Sequence, residues 1–254
     1  MRHIIRLAVM LFITMFAATS WATTKKNKFS GLYIGIDGGI DTWTLKNDTQ
    51  LFANSTDTVP FINLNNDTGQ IGGSGGVFAG WAYIENPWYM SLEVNIDLFS
   101  NKHASNMVLN LPDFTDAVFT IDISVDEKQK WGASLDFHGG YIFANAALLY
   151  FRIGYAVEKF DSNAKLTLTD TAEFSKFVDS FAKTTDMQAF RVGIGGEYAI
   201  QRNWRIRTEF FGDIYQNKQY FLSDIPEIQA LTNGVTLGAK RNFLAYYIGV
   251  LYNF

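Results

Sequence analysis

The chain has 254 residues, contains no cysteine and carries a net charge of −4 at pH 7. Without cysteine the fold does not depend on disulfide bonds, and the acidic balance argues against nucleic acid as a partner, since nucleic-acid-binding proteins usually show a basic stripe or excess. Aromatic residues make up 16% of the chain, which is too many for a disordered protein.

The start of the chain has the features of a secretory signal peptide: basic residues, an apolar run over residues 7–18, and small residues just before position 23. The apolar run covers 12 residues, whereas a helix needs roughly 20 to cross a bilayer. We therefore expect residues 1–22 to be cleaved. Residues 23–30 would then form a short N-terminal segment, and residues 31–254 the folded domain.

Eight later segments alternate apolar with polar or small residues at a period of two, which predicts β-strands. The cleanest alternation places Met90 and Leu92 on one face and Ser91 and Glu93 on the other. One face of such a strand suits lipid and the other suits water. In chain order the predicted strands are 31–45, 70–84, 88–99, 129–143, 147–160, 186–200, 204–215 and 242–254.

The connections between these strands alternate in length. Three are turns of a few residues, and four are long, covering residues 46–69, 100–128, 161–185 and 216–241. Short turns at one end and long loops at the other are typical of an outer-membrane β-barrel, in which the turns are periplasmic and the loops extracellular. The pattern predicts an all-β fold, an eight-stranded antiparallel up-and-down transmembrane β-barrel with four long extracellular loops.

Aromatic residues are concentrated beside the short turns, where indole and phenol rings favour the headgroup layer of a membrane. We expect one aromatic girdle to be formed by Tyr83, Trp88, Tyr141, Phe143, Tyr198, Trp204, Tyr252 and Phe254. Trp43, Phe99 and Trp131 are candidates for the second girdle, at the long-loop end.

The long loops carry their own patterns. Alternation over residues 119–125 suggests that strands continue above the membrane. Helical spacing of apolar residues, after a capping arrangement that begins at Asp170, predicts a short amphipathic helix from Thr171 to Lys183 across the barrel mouth. One further helical turn is expected near Pro226, a residue tolerated in a first turn.

The last strand carries the most specific signal, because its outward face is apolar or aromatic up to the final residue of the chain. The matching residues are Tyr246, Ile248, Val250, Tyr252 and Phe254. This ending resembles the C-terminal strand of bacterial outer-membrane β-barrels, whose final Phe and alternating apolar positions are read by the barrel assembly machinery. The alternative, an ordinary sandwich strand that happens to be last, is disfavoured by the pattern of the remaining chain.

The whole chain after the signal resembles the small outer-membrane β-barrel proteins of Gram-negative bacteria, the porin-like and opacity-type surface proteins. The resemblance implies an outer-membrane location and contact with outer-membrane lipid, lipopolysaccharide and the barrel assembly machinery. It favours a non-enzymatic surface protein that serves envelope structure, adhesion or contact with host or extracellular ligands through its loops. A small passive channel and a lipid-modifying outer-membrane enzyme are the alternatives.

Charged residues on the inward faces form the candidate site. They are Asp37, Glu93, Asp97, Asp136, His138, Arg152, Arg191, Glu197, Arg205, Arg207 and Glu209. Such groups are costly to remove from water unless they pair with one another, so we interpret them as a packed polar network rather than a catalytic centre. An eight-stranded barrel is just wide enough for side chains to fill, which predicts a closed lumen.

Other candidate chemistry is weaker. His103, Ser105 and Asp113 could form a serine, histidine and acid set, although a solvated loop histidine is the simpler interpretation. Separated histidines without cysteine predict no metal site, and we expect no cofactor. The glycine run Gly72–Gly76 lacks the ending of a phosphate-binding loop, and we expect it to let neighbouring strands and large inward side chains approach closely.

Overall fold

The computed structural model describes residues 28–51, 62–112, 118–143, 146–170, 176–215, 218–221 and 235–254. These residues form ten strands: β1 (Gly31–Leu51), β2 (Ile62–Glu85), β3 (Trp88–Phe99), β4 (Lys102–Pro112), β5 (Val118–Phe143), β6 (Ala147–Asp170), β7 (Lys176–Ala199), β8 (Trp204–Tyr215), β9 (Lys218–Phe221) and β10 (Val235–Asn253). No helix in this described part of the chain is long and apolar enough to cross a membrane.

Eight of these strands close into a barrel in the order β1-β2-β3-β5-β6-β7-β8-β10, with β10 returning to pair with β1. Every pairing around the barrel is antiparallel, and the closing pair runs from Tyr33↔Asn253 to Leu51↔Val235. The two additional strands lie at the long-connection end, where β4 pairs with β5 and β9 pairs with β10. The predicted eight-stranded up-and-down barrel is confirmed.

The predicted strands 88–99 and 204–215 coincide with β3 and β8, but most of the others are longer than predicted. β2, β5, β6 and β7 contain 24 to 26 residues, whereas a strand needs about 9–11 to span a membrane. The sheet therefore continues beyond the long-connection edge of the membrane. Residues 119–125 belong to β5 and pair with both β4 and β6, so the predicted continuation of strands is confirmed.

The predicted helix from Thr171 to Lys183 is wrong where the structure describes it. Residues 176–183 are the start of β7, paired with β6 from Lys176↔Thr169 to Lys183↔Ser162. A helix of two or three turns is marginal in water, whereas pairing gives these residues a continuous ladder of backbone hydrogen bonds. Residues 171–175, and the turn expected near Pro226, lie outside the described residues.

The outer face of the barrel is apolar. Along β3 and β8 buried and exposed residues alternate, and outward side chains such as Ile36 and Ile71 are 64% and 73% exposed. A surface of this kind is a liability in water and is what a spanning strand requires in lipid.

The girdle predicted beside the short turns lies on this outer face. Its rings contact one another in pairs, for example Trp88 with Tyr141 and Trp204 with Tyr252, with centroids 5.6 and 5.1 Å apart. The assignment of Trp43 and Phe99 to the second girdle is wrong, since both side chains are buried in the lumen. Their positions in the strand alternation put them on the same faces as the inward charges.

Glycines make room for the largest inward side chains. A Cβ at Gly80 would lie 2.4 Å from the Tyr33 hydroxyl, and one at Gly35 would lie 2.2 Å from the Phe78 ring. Within the run Gly72–Gly76, a Cβ at Gly76 would lie 2.4 Å from a carboxylate oxygen of Asp97. The glycine run therefore allows inward side chains to approach the backbone closely, as predicted. The space that a glycine leaves is occupied by a large side chain from a neighbouring strand.

Candidate functional site

The candidate site is the lumen, in which charged side chains contact two clusters of buried apolar residues. The cluster nearer the short turns contains Phe29, Tyr33, Phe78, Ala82, Tyr89, Ile142, Leu148, Tyr150, Ala199 and Leu251. The cluster nearer the long connections contains Trp43, Phe99, Ala156, Phe160, Met187, Ala189, Phe211, Tyr215, Phe243, Ala245 and Tyr247. Ion pairs join the walls of the barrel in the same interior, and we call this set of ion-paired side chains the lumen network.

Arg207 of β8 makes the longest-range contact of the network. Its two terminal nitrogens donate to both carboxylate oxygens of Glu93, on β3, at 2.9 and 2.7 Å, although the two residues are 114 positions apart. Its Nε donates to Glu197 at 3.0 Å, and its guanidinium lies 4.2 Å from the centroid of the Phe78 ring. Glu197 also accepts a hydrogen bond from Arg205. One planar cation thus ties together opposite parts of the barrel wall.

Arg152 of β6 bridges two further strands. Its terminal nitrogens donate to Glu209 and to Asp136, each at 2.7 Å. The second oxygen of Glu209 accepts a hydrogen bond from the Tyr150 hydroxyl, and Asp136 accepts two more, from Asn95 and from Ser134. Hydrogen bonds from several donors are what makes a buried carboxylate tolerable.

Arg191 of β7 forms the third bridge. It donates to both oxygens of Asp213, at 2.7 and 2.8 Å, in the bidentate geometry that guanidinium favours. Asp97 and Glu158 each lie 3.4 Å away from it. The guanidinium groups of Arg191 and Arg152 both lie over the Phe211 ring, 4.5 and 4.7 Å from its centroid. The guanidinium groups of the network therefore pack directly on the apolar cluster that contains Phe211.

The structure places ten of the eleven predicted lumen residues among the buried side chains. Nine of them make ion pairs with other members of the lumen network. His138 joins through a contact with Ser91. Asp37 is only partly buried, and its Oδ1 has no hydrogen-bond partner among the described residues.

Four members of the network were absent from the sequence prediction. The alternation places Glu158 and Asp213 on the inward faces of the predicted strands 147–160 and 204–215, although neither was included among the network residues. Arg241 and Glu127, which pair with each other near the long connections, fell in predicted loops. Alternation counted from the later part of β5 would also place Glu127 on the outer face. A bulge between Gln129 and Trp131 exchanges the inward and outward positions of the residues before it, so Glu127 lies inside.

The serine and histidine pair that the structure shows is not the pair considered from the sequence. Ser91 Oγ lies 3.2 Å from His138 Nδ1, and His138 Nε2 has no partner among the described residues. In a Ser-His-Asp triad the histidine accepts the serine proton through Nε2, not Nδ1. The side chains of Ser91 and His138 are also buried. His103 lies opposite Glu127 in the pairing of β4 with β5, while its side chain, that of Ser105, and Asp113 are outside the described set.

Among the side chains that the structure describes, no group of three histidine, cysteine or carboxylate side chains is arranged to hold a metal ion. The arrangement in the lumen can stabilise the barrel, because its ion pairs join strands on opposite sides of the wall.

Comparison with known proteins gives a family match. The family model described as the outer membrane protein beta-barrel domain matches residues 8–254. No curated protein matches the sequence.

Several solved structures resemble the chain, at low identity. The attachment invasion locus protein Ail of Yersinia pestis is 10% identical, covering 89% of this chain and 99% of that one at a TM-score of 0.31. Neisserial surface protein A is 12% identical, with coverage of 89% and 98% and a TM-score of 0.38. The Escherichia coli outer membrane protease OmpT is 11% identical, with coverage of 91% and 99% and a TM-score of 0.39. Likenesses this distant carry no argument about what this chain binds or catalyses.

Proposed function

Because the chain belongs to the outer membrane protein β-barrel family and lies in the outer membrane, we propose that it is a non-enzymatic surface protein with a closed barrel. In this proposal the lumen network is structural, and function resides on the part of the sheet that extends beyond the membrane. The protein would then serve envelope structure, adhesion or contact with an extracellular ligand.

The observation that carries the proposal is the bidentate pair between Arg207 and Glu93. The two side chains come from β8 and β3, which are not neighbours in the sheet, so the pair spans the lumen instead of following one wall. Arg152 of β6 with Glu209 of β8, and Arg191 of β7 with Asp97 of β3, also join strands that are not neighbours in the sheet. Open aqueous channels belong to barrels of about 16 strands, and an eight-stranded interior is filled once such side chains occupy it.

Burial supports the absence of catalysis in the lumen. The groups that could take part in catalysis, Ser91, His138 and the paired carboxylates, are buried in the lumen together with the two apolar clusters. A catalytic acid or base must come within hydrogen-bond reach of a substrate atom. Buried groups that already hydrogen-bond one another are suited to holding strands together.

The length of the strands supports a role outside the membrane. β5, β6 and β7 form a continuous sheet of paired strands up to Phe119↔Asp170 and Lys176↔Thr169. Residues beyond the apolar belt number about a dozen on each of these strands, or roughly 40 Å of extended chain. A paired sheet of this length holds its surface side chains in fixed positions, which favours recognition over simple anchoring.

The test is conductance in a planar lipid bilayer. We expect the purified wild-type protein to show no steady ion current, whereas Arg207→Ala, which removes the bridge across the lumen, should show transient openings. Arg202→Ala is the matched control, because that arginine is exposed in a short turn and belongs to no lumen bridge. A stable conducting state in the wild-type protein would contradict the closed barrel and favour the passive channel.

A further inference from the structure

Four lysines lie on the outer face of the sheet just beyond the apolar belt, and we propose that they bind the phosphate groups of an outer-leaflet lipid. They are Lys102 of β4, Lys128 and Lys130 of β5, and Lys159 of β6, and we call them the lysine patch. The inference depends on the outer-membrane location and not on the proposed function, so a conducting barrel would leave it intact.

The register of the sheet brings these lysines together. Lys102 and Lys128 are direct partners in the pairing of β4 with β5, and both side chains are exposed. Residues opposite each other on one face have Cβ atoms about 4.5–5.5 Å apart, and like charges in that position are destabilising. Two exposed lysines in directly opposite positions form a suitable site for a phosphate, which offers several acceptor oxygens and up to two negative charges.

The position of the patch relative to the membrane indicates where the phosphate comes from. Trp131 ends the row of outward apolar residues on β5, and Lys159 Nζ lies 5.7 Å from the centroid of its ring. Tryptophan rings prefer the membrane interface, and lysine extends its charged end from apolar surface toward the polar layer. The patch is thus at headgroup level, where a lipid phosphate is close and a soluble ligand must compete with the lipid.

The carboxylates on this face leave part of the patch available. Asp161, the partner of Lys128 in the register with β6, forms an ion pair with Lys130 and accepts a hydrogen bond from Thr184 at 2.8 Å. Within the described residues, no carboxylate forms an ion pair with Lys102 or Lys128. Asp126, two residues before Lys128, and Asp186, the partner of Lys159 in the pairing of β6 with β7, are also exposed. The four lysines thus lie beside three carboxylates, and the positive charge in excess lies at Lys102 and Lys128.

A simpler role for Lys102 is protection of the strand edge. In the described residues β4 pairs with β5 alone, and lysines on an exposed edge discourage pairing with another chain. That role needs one charge on β4 and gives no reason for Lys128, Lys130 and Lys159 on the strands beside it. The test below separates the two roles.

The experiment uses the full protein folded in detergent and native mass spectrometry to measure retention of diphosphorylated lipid A. We compare wild type with the double variant Lys102→Gln/Lys128→Gln, and with Lys28→Gln/Arg202→Gln, which loses the same charge from exposed positions at the short-turn end. Each lysine near an anionic lipid surface contributes about fivefold to affinity. The Lys102→Gln/Lys128→Gln protein, the patch variant, should therefore bind lipid A roughly 25-fold more weakly than wild type. The control variant should match wild type, and fully dephosphorylated lipid A should bind all three proteins alike.

Three results would overturn the proposal. Equal lipid A binding by wild type and the patch variant would remove the lysines from lipid recognition. Self-association of the patch variant without a change in lipid A binding would assign the lysines to edge protection. Displacement of lipid A by inorganic phosphate at an equal phosphate concentration would show a site for soluble anions instead of a lipid.

Discussion

Replacing Arg207 by alanine should destabilise the barrel more than any surface substitution. Among the described residues, Arg207 supplies every hydrogen bond that the structure gives to Glu93, through both of its terminal nitrogens. Its other hydrogen-bond partner, Glu197, retains the hydrogen bond from Arg205, and Glu209, 3.8 Å from Arg207, retains its ion pair with Arg152. Arg207→Ala therefore leaves one buried carboxylate without a donor, and breaking a buried pair in this way costs about 3–5 kcal/mol.

The size of this effect can be measured by equilibrium unfolding in urea, with the barrel folded in detergent and its fold checked by heat-modifiable gel migration. Arg202→Ala should lie within about 0.5 kcal/mol of wild type, because the side chain is exposed. The double variant Arg207→Met/Glu93→Leu should recover most of the loss, since a buried pair replaced by apolar side chains is often neutral or stabilising by about 1–4 kcal/mol. A loss below about 1 kcal/mol for Arg207→Ala, or no recovery in the double variant, would refute the reasoning.

Three further predictions concern assembly, packing and catalysis. Deleting Phe254 should lower the yield of folded barrel in the outer membrane far more than it lowers the stability of refolded protein, because loss of recognition by the assembly machinery should dominate; equal losses in both measurements would argue against a terminal signal. Gly80→Ala should lower stability in urea by more than about 1 kcal/mol, since its Cβ would meet the Tyr33 hydroxyl at 2.4 Å, whereas Gly196→Ala, whose nearest neighbour would be 3.5 Å away, should be nearly neutral. His138→Gln should leave any lipid-modifying or proteolytic activity of outer-membrane preparations unchanged, and loss of such an activity from a heat-modifiable barrel would support the enzyme alternative.

Much of the fold follows from the sequence because a barrel in lipid repeats one simple rule along the whole chain. The period of two identified every barrel strand, and β3 and β8 begin and end where the alternation does. The same rule placed Arg207 and Glu93 on inward faces, where a charge cannot contact lipid. It could not pair them, because partners on β3 and β8 depend on strand stagger and on which walls face each other across the lumen.

The errors arose where a second pattern competes with that rule. Residues 176–183 have apolar residues at helical spacing, yet Phe177 and Phe181 also fit an alternating strand, and backbone pairing with β6 decides between the two. Trp43 and Phe99 were assigned to an interfacial girdle from residue type, although their alternation placed them inside. The preference of large aromatic rings for the interface is weaker evidence than their position on a strand.

A single β-bulge in β5 determines which side chains of this strand face the lumen and which face outward. The bulge between Gln129 and Trp131 turns Glu127 and Gln129 inward, where Glu127 pairs with Arg241 and Gln129 donates to Glu158 at 2.7 Å. Without the extra residue, strict alternation from Trp131 would put Lys128 in the lumen and Glu127 on the outer face. A buried lysine would then replace a paired carboxylate, and the lysine patch would lose the direct partner of Lys102. The bulge therefore keeps the acid with the arginines inside and the lysines at the membrane surface.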